Sequence, residues 1–421
     1  MASLGLTDIT ATLKEILLPY VQDNFPKKTI LLDQLKRNTK IQVMNNEFIA
    51  SVYTTRHGGV ANLGNDKNNI VNSAGRDTSR ATVPVEIVTG ALDISKLAID
   101  ASKSSMLAVA NALQSQTEKL TSDFARQVNR QLYSDGVGVV SMVRAIGGSV
   151  GVGTIAVEAI DANIDDGRTV DYYGTINGDI SPTKYFAQDQ VIGVGTGGVA
   201  DGTITSVTGT SIVSGAPTAL ASEANDSIYL QDGSNAGAGT SELLGIRAAL
   251  SSSTGTSTYA GLARNTVGWT PSFGSTSEAL SITRLENMDG DVQEYADPSD
   301  KYIILVNKTL YRKYGDLLTA MRRTVNSLDL IGGWKGLEFA AGGNVVGVFR
   351  DYDVPDGEVL LINLDTWTIT QVSPIDWMED PSGGGLLRLQ NTIMYQAVMH
   401  WFVNVLCLAP AANAKETRKS A

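Results

Sequence analysis

The chain has 421 residues and a mass of 44.6 kDa, a length that suggests two or three domains. Hydrophobic residues make up 43% and charged residues 18%, so it can bury real cores, while a net charge of −11 argues against gripping DNA or an anionic membrane by bulk electrostatics. One Cys excludes an intrachain disulfide framework and Cys-built zinc sites, and His57 and His400 leave little material for imidazole chemistry.

Met1 to Tyr20 has no basic segment leading into an apolar core, so no export signal is expected. Leu13, Ile16 and Leu17 share a helical face, predicting a short helix from Thr7 to roughly Val21, limited by Pro19 and Pro26. Lys27, Lys28, Lys36, Arg37 and Lys40 then make a mildly basic arm. Ile41 and Val43, followed by Phe48, Ala50 and Val52, alternate on either side of Asn45-Asn46. Val83, Val85 and Ile87 alternate again, and Pro84 confines that run to a sheet edge or a strand start. Between the runs, Thr54 to Ala81 is a 28-residue stretch with almost no apolar content. A structureless loop of that length is unusual in a compact domain, so it reads as an extended hairpin. Two strands alone are marginal in water, and such a hairpin needs something outside its own domain to lie against.

Leu107, Ala110, Leu113, Thr117, Leu120, Phe124, Val128 and Leu132 recur at steps of three or four, the strongest helical signal in the chain. Asp93 or Ser95 is placed to cap the helix and Gly136 to stop it. Running from Lys96 to Ser134 it would reach about 58 Å, the length of a strut, with any break falling near Ser102 to Ser105.

Gly147 to Gly261 holds 20 of the 42 glycines, and Gly151 to Leu250 carries −9 of the net −11. Within it, Ile155 to Ile160, Val191 to Val194, Thr203 to Val207 and Ser227 to Leu230 are short apolar runs separated by Gly, Asp and Asn. That spacing predicts an acidic all-β insert. Leu280 to Asn287 and Lys308 to Thr319 then read as helices. Tyr302 to Val306, Val345 to Phe349 and Val359 to Ile362 read as strands. Ile393 to Ala409 is a 17-residue apolar run interrupted by Gln396, His400 and Asn404. A membrane span wants roughly 20 apolar residues, so a buried strand or helix is expected there. Ala411 to Ala421 is polar and reads as a frayed tail. The fold class is α+β with a β insert.

No catalytic, cofactor-binding or metal site is assigned. Gly193 to Gly198 fits GxGxxG, yet the following Thr203 to Val207 is a β pattern where pyrophosphate binding needs a helix N-terminus, so a glycine-rich turn is the reading. Gly147 to Gly151 fits GxSxG, but a hydrolase elbow needs a helix after Ser149, and the only later His is His400. His57 reads as a surface residue and Cys407 as an apolar filler. Asp165, Asp166, Asp171 and Asp179 lack EF-hand spacing and read as a solvated acidic face. Arg322 and Arg323 follow a helix and suit a subunit contact as well as a phosphate.

Segments spread along the chain carry a resemblance. They are Leu13-Lys14-Glu15-Ile16-Leu17 and Leu31-Leu32-Asp33-Gln34-Leu35 in the arm, and Ala81-Thr82-Val83-Pro84-Val85-Glu86 at the hairpin return. Arg130-Gln131-Leu132-Tyr133-Ser134-Asp135-Gly136-Val137-Gly138 follows at the helix end, then Gly261-Leu262-Ala263-Arg264-Asn265 with Trp269. Gly332-Gly333-Trp334-Lys335-Gly336-Leu337 and Trp377-Met378-Glu379-Asp380 complete the series. In this order they resemble the major capsid protein of tailed bacteriophages, whose fold is shared with herpesviruses. The resemblance implies an α+β tailed-phage capsid fold. Its parts would be an N-terminal arm (1–40), an extended β-hairpin loop (41–92) and a peripheral domain with a long spine helix (93–146). An inserted Gly-rich all-β domain (147–261), an axial domain (262–375) and a C-terminal return with a tail (376–421) would follow.

It also implies a non-enzymatic virion protein, made in the host cytoplasm, that self-assembles into hexamers and pentamers of an icosahedral head. The head would enclose double-stranded DNA without sequence-specific binding. The expected partners are copies of itself, a scaffolding protein, a portal and a decoration protein, with no cofactor and no membrane. Many relatives begin with a scaffolding segment, whereas this sequence starts almost at the arm, leaving a separate scaffold or earlier processing open. Some relatives cross-link a Lys to an Asn; Lys67 lies near the hairpin tip, but nothing assigns that chemistry here. Arg56, Lys67, Arg76, Arg80, Glu86, Arg322 and Arg323 are the candidates for charged contacts between subunits. The rival readings are a flagellin or surface-layer subunit and, from a different class, a serine hydrolase using Ser149.

Overall fold

The structure, a computed structural model, describes residues 17–25, 29–53, 78–96, 106–136, 139–147, 152–158, 191–194, 200–207, 211–215, 227–231, 242–251, 257–297, 300–320, 327–329, 335–341, 344–355, 357–379, 387–388 and 392–420. The arm contributes helices α1 (Leu18–Asn24) and α2 (Ile30–Gln34). The helix expected to close near Val21 instead continues to Asn24, because Pro19 sits in its first turn, where a missing N–H costs nothing. Leu17, Val21, Phe25, Ile30, Leu31 and Leu32 are buried, so this part of the arm lies on its own body. Strands β1 (Lys36–Asn38), β2 (Gln42–Met44) and β3 (Glu47–Tyr53) follow. Asn45 and Asn46 join β2 to β3 with φ of 53° and 65°, the left-handed pair that a tight hairpin turn requires. Strand β4 (Thr78–Pro84) pairs antiparallel with β3, from Tyr53 opposite Thr78 to Glu47 opposite Pro84. Pro84 therefore ends an edge strand, as expected.

Strand β5 (Glu86–Ser95) turns away into a different sheet. It contains Asp93, opposite Gln396, which is committed to the strand ladder rather than to a helix cap, and ends at Ser95, directly before the helical residue Lys96. Helix α3 spans Met106–Leu132, 27 residues or about 40 Å; residues 97–105, where the expected break near Ser102 to Ser105 falls, lie outside the described residues. It lies against β5 at Gly90, where a Cβ would sit only 3.2 Å from Leu120 and 3.3 Å from Phe124.

Six strands then form a closed barrel: β6 (Val139–Gly147), β7 (Val152–Glu158), β8 (Val191–Val194), β9 (Ala200–Val207), β10 (Ser211–Gly215) and β11 (Ser227–Gln231). Their order around the barrel is β10-β7-β6-β11-β8-β9. The GxGxxG stretch bridges the antiparallel pair β8–β9, and the GxSxG stretch bridges β6–β7. Each glycine run thus joins strand to strand, which removes the helix that nucleotide or hydrolase chemistry would need.

After the barrel come α4 (Ile246–Ala249), a small hairpin of β12 (Thr258–Tyr259) and β13 (Leu262–Ala263), β14 (Ser272–Gly274) and β15 (Glu278–Ala279). Helix α5 (Ile282–Gln293) starts two residues later than predicted, because the Ser281 hydroxyl caps it by accepting the Arg284 N–H. Strand β16 (Tyr302–Val306), helix α6 (Lys308–Ala320), and strands β17 (Ser327–Asp329), β18 (Lys335–Ala341), β19 (Asn344–Arg350) and β20 (Val359–Asn363) follow. The last elements are β21 (Trp367–Gln371), β22 (Asp376–Trp377), β23 (Leu387–Arg388), β24 (Met394–Cys407), β25 (Ala414–Glu416) and β26 (Lys419–Ser420).

Two sheets hold the body together. The seven-stranded one runs β14-β25-β20-β16-β19-β18-β17 and is covered on both faces. Period-two alternation explains why its strands read as unbroken apolar runs. Ile304, Val306, Val348, Val359 and Leu361 pack with Leu285, Val292, Leu310 and Tyr314 of α5 and α6. Ile303, Leu305, Phe349, Leu360 and Ile362 point the other way, into a core shared with the arm, β5, α3 and β24. In the six-stranded sheet, β24 pairs with β5 over ten residues, from Ser95 opposite Met394 to Glu86 opposite Val403, and also with β21, β22 and β23. The apolar run Ile393 to Ala409 is thus mostly the strand β24, half-buried at its start and buried from Val403 to Cys407. No helix among the described residues is long and apolar enough to cross a membrane.

The expectation of a frayed tail is overturned. Ala411 to Thr417 and Lys419 are buried. Strand β25 inserts between β14 and β20, and β26 pairs with β15. The reason is physical: β25 is paired on both sides, β26 on one, and Lys415, Glu416 and Lys419 meet opposite charges.

Candidate assembly surface and buried polar clusters

The hairpin is rooted in the core and leaves it. At its base Phe48, Ala81 and Val83 have no exposure, whereas Tyr53, at the far end of β3, is 62% exposed. The base is clamped on both sides, by the Thr82 N–H to the Ala260 carbonyl and the Val85 N–H to the Asn46 carbonyl, each 2.9 Å. Arg80 is exposed on β4 opposite Ser51, and Glu86 is half-buried at the start of β5 opposite Val403. Arg56, Lys67, Arg76, Arg322 and Arg323 lie outside the described residues, as do His57, Ser149, Asp165, Asp166, Asp171 and Asp179.

The arm is fixed by aromatic contacts. Phe25 meets Phe124 of α3 and Trp401 of β24 edge-on, with centroids 5.4 and 5.3 Å apart, and Arg37 lies over the Phe25 ring at 5.9 Å. Burial lowers the pKa of Arg37, partly offset by the Asp33 carboxylate. Lys36 pairs with Asp365 across the β1–β21 edge.

Three buried ion-pair groups were not anticipated from the sequence. Glu358, just before β20, accepts from Arg247 of α4 and lies 3.1 Å from Lys415 of β25, all three side chains being at most 3% exposed. Burial alone would raise the Glu358 pKa, but Arg247 and Lys415 outweigh it and hold the carboxyl below its ordinary value. Lys419 reaches Glu278 at 2.9 Å and Glu416 at 3.2 Å, and Arg284 reaches Glu416 at 2.9 Å. Arg130, near the end of α3, pairs with Glu242, where the chain returns from the barrel. Just beyond, Gly245 lies against the end of α3 so closely that a Cβ would sit 2.5 to 2.6 Å from the carbonyl oxygens of Gln131, Leu132 and Ser134. The only sequence cue was the abutment of Glu358 on Val359 to Ile362; Lys415, Glu416 and Lys419 read as tail residues.

A fourth group joins α3 to the loop between β19 and β20. The Asn129 amide donates to Asp353 at 2.5 Å and to Asp351 at 3.3 Å. Burial, reinforced by Asp353, pushes the Asp351 carboxyl up to about 6. Burial, then the two carboxylates, raise the Tyr133 phenol well above its ordinary value.

His400 stands on β24 with its ring 5.2 Å from Phe402 and Asp376 opposite. Burial pushes the Cys407 thiol up to about 12, so it is a protonated core residue near neutrality. Among the described residues, no three or more His, Cys, Asp or Glu side chains converge as metal ligands.

No protein-family model and no curated protein matches this sequence. Among solved structures, the chain is similar to the capsid of cyanophage A-1(L), at 13% identity over 92% of this chain and 91% of that one, with a TM-score of 0.47. It is similar to the capsid of a native GTA particle at 10% identity, 94% and 91% coverage and a TM-score of 0.42. The SrpI encapsulin complex from Synechococcus elongatus is similar at 9% identity, 93% and 87% coverage and a TM-score of 0.39.

Proposed function

We propose that this chain is a structural subunit of a closed protein shell of the tailed-phage capsid type. The observation that carries the reading is the hairpin: a β ribbon clamped at its root, with burial falling to 62% exposure by Tyr53, leading into a polar 54–77 segment. A ribbon that leaves its own core gains by lying on another copy. The motif order along the chain supports the same reading. On it, copies form hexamers and pentamers of an icosahedral head around double-stranded DNA, in a virion, with a scaffolding protein, a portal and a decoration protein as partners. The β6–β11 barrel is an inserted domain, α3 is the spine helix, and the β16–β20 region is the axial domain. Arg56, Lys67, Arg76, Arg80, Glu86, Arg322 and Arg323 supply contacts between subunits, and the protein has no catalytic role.

The test is to replace residues 54–77 by a short glycine-containing turn closing β3 onto β4. The subunit should keep its circular dichroism and unfolding midpoint yet form no shells by negative-stain electron microscopy. Normal shells from that variant would remove the hairpin from the mechanism.

A further inference from the structure

The six-stranded sheet has two unlike faces. On β24, Ala397, Met399, Trp401 and Val403 are buried in the core shared with α3 and the arm. Side chains alternate along a strand, so Val398, His400 and Phe402 point to the opposite face, where they are half-buried. The ladder gives each of these a neighbour on both sides. Phe402 lies opposite Ile87 of β5, and its carbonyl accepts from the Val372 N–H. His400 lies between Thr89 and Asp376. Val398 lies opposite Ala91, and its carbonyl accepts from the Met378 N–H. Ile87, Val372 and Met378 are 56%, 48% and 48% exposed, and Thr89, Ala91 and Asp376 are exposed as well. Two apolar rows thus stand open to water on either side of one polar row. Apolar side chains exposed together, unlike scattered ones, mark an interaction site.

We propose that this face docks a basic amphipathic helix of a partner protein. Size selects a helix. From Phe402 to Gln396 the face is about 20 Å long, and the two strands flanking β24 are about 10 Å apart. That is the width of one helix and the length of about fourteen of its residues. The footprint, about 200 Å², is far below the roughly 800 Å² per partner of a stable dimer, which disfavours a second copy packed sheet to sheet. The same sheet already carries one helix on its other face, where α3 packs against β5 at Gly90. Charge selects a basic helix. Asp376 on β22 and Asp93 on β5, the latter opposite Gln396, are exposed on this face, one on each side of β24. No Lys or Arg stands in the rows between them. A helix lying along β24 presents an apolar stripe to Val398 and Phe402, a polar residue to His400, and Lys or Arg along both margins toward the two acids. The face belongs to each subunit, so the inference does not depend on shell formation.

The experiment measures the fluorescence anisotropy of a labelled peptide titrated with the full chain. The probe is a synthetic helix of about fourteen residues whose leucine stripe is flanked by lysines. A scrambled peptide of the same composition controls for plain attraction to a chain of net charge −11. The striped peptide should bind about tenfold tighter than the scrambled one. Ile87→Ser combined with Met378→Ser, at two exposed positions, should keep the unfolding midpoint and lose about tenfold in affinity. Asp93→Lys combined with Asp376→Lys should weaken the lysine-flanked peptide and favour a glutamate-flanked twin. A second readout needs no variant: a benzophenone on the stripe should cross-link to β5, β22 or β24. Equal binding of striped and scrambled peptides, or cross-links confined to other elements, would overturn the site. If Ile87→Ser with Met378→Ser abolished self-association of the chain instead, the occupant would be a second copy and helix docking would fall.

Discussion

The hairpin stem and the C-terminal tail end in opposite environments. Both border polar sequence, the 54–77 segment in one case and the Lys415–Ser420 stretch in the other. Yet β3 and β4 run from a buried root to an exposed end, while β25 and β26 are buried throughout, apart from Ser420. What separates them is the supply of partners. The tail enters between two existing strands and brings Lys415, Glu416 and Lys419 to Glu358, Arg284 and Glu278. The hairpin has ladder partners at its base and a polar segment beyond it. Polarity alone therefore did not decide exposure; the local availability of opposite charge and open backbone edges did.

The sharpest way to break the contrast is Glu358→Ala. It leaves Arg247 and Lys415 buried without their acid and should cost about 3–5 kcal/mol, read by chemical denaturation. The same site gives a pH dependence. Because the folded Glu358 pKa lies below the ordinary value of 4.5, its stabilisation is present above that value and is lost as pH falls through the folded pKa. Hydrogen exchange at residues 414–420 should accelerate on acidification, and an unchanged rate would place the tail's hold elsewhere.

Gly245→Ala comes next. A methyl pressed against three carbonyl oxygens should cost roughly 1–3 kcal/mol by displacing the end of α3, visible as a lowered midpoint. The smallest effect is Arg80→Ala on the exposed stem. Subunit stability should stay within about 0.5 kcal/mol, and association should weaken by about 0–1 kcal/mol, measured by the critical concentration for assembly. If Arg80→Ala destabilised the isolated subunit, the stem would be part of its own core after all.

Where pattern and environment agreed, the sequence was easily read. Tyr302 to Val306, Lys308 to Ala320 and Val359 to Asn363 fell close to their predicted places because strong apolar periodicity met a two-sided core. The Asn45-Asn46 pair interrupted the alternation, and the structure places the tight turn there, at two residues that accept positive φ. The arm's Pro19 was misread, since proline opens a helix as readily as it ends one. Asp93 was misread because a cap residue and a strand residue look alike until the strand partner is known, and that partner, Gln396, lies about 300 residues away. The buried clusters were illegible for the same reason: Arg247, Glu358 and Lys415 are far apart along the chain and each looks like a surface residue alone.

Closure of the β6–β11 barrel has a consequence for the molecule at high concentration. An open sheet on each subunit would offer a row of unsatisfied amides to its neighbours and invite gelling. A cylinder has no such selvage, and the surplus of acid between Gly151 and Leu250 makes adjacent cylinders repel. The barrel can therefore stand at high density without sticking one molecule to the next.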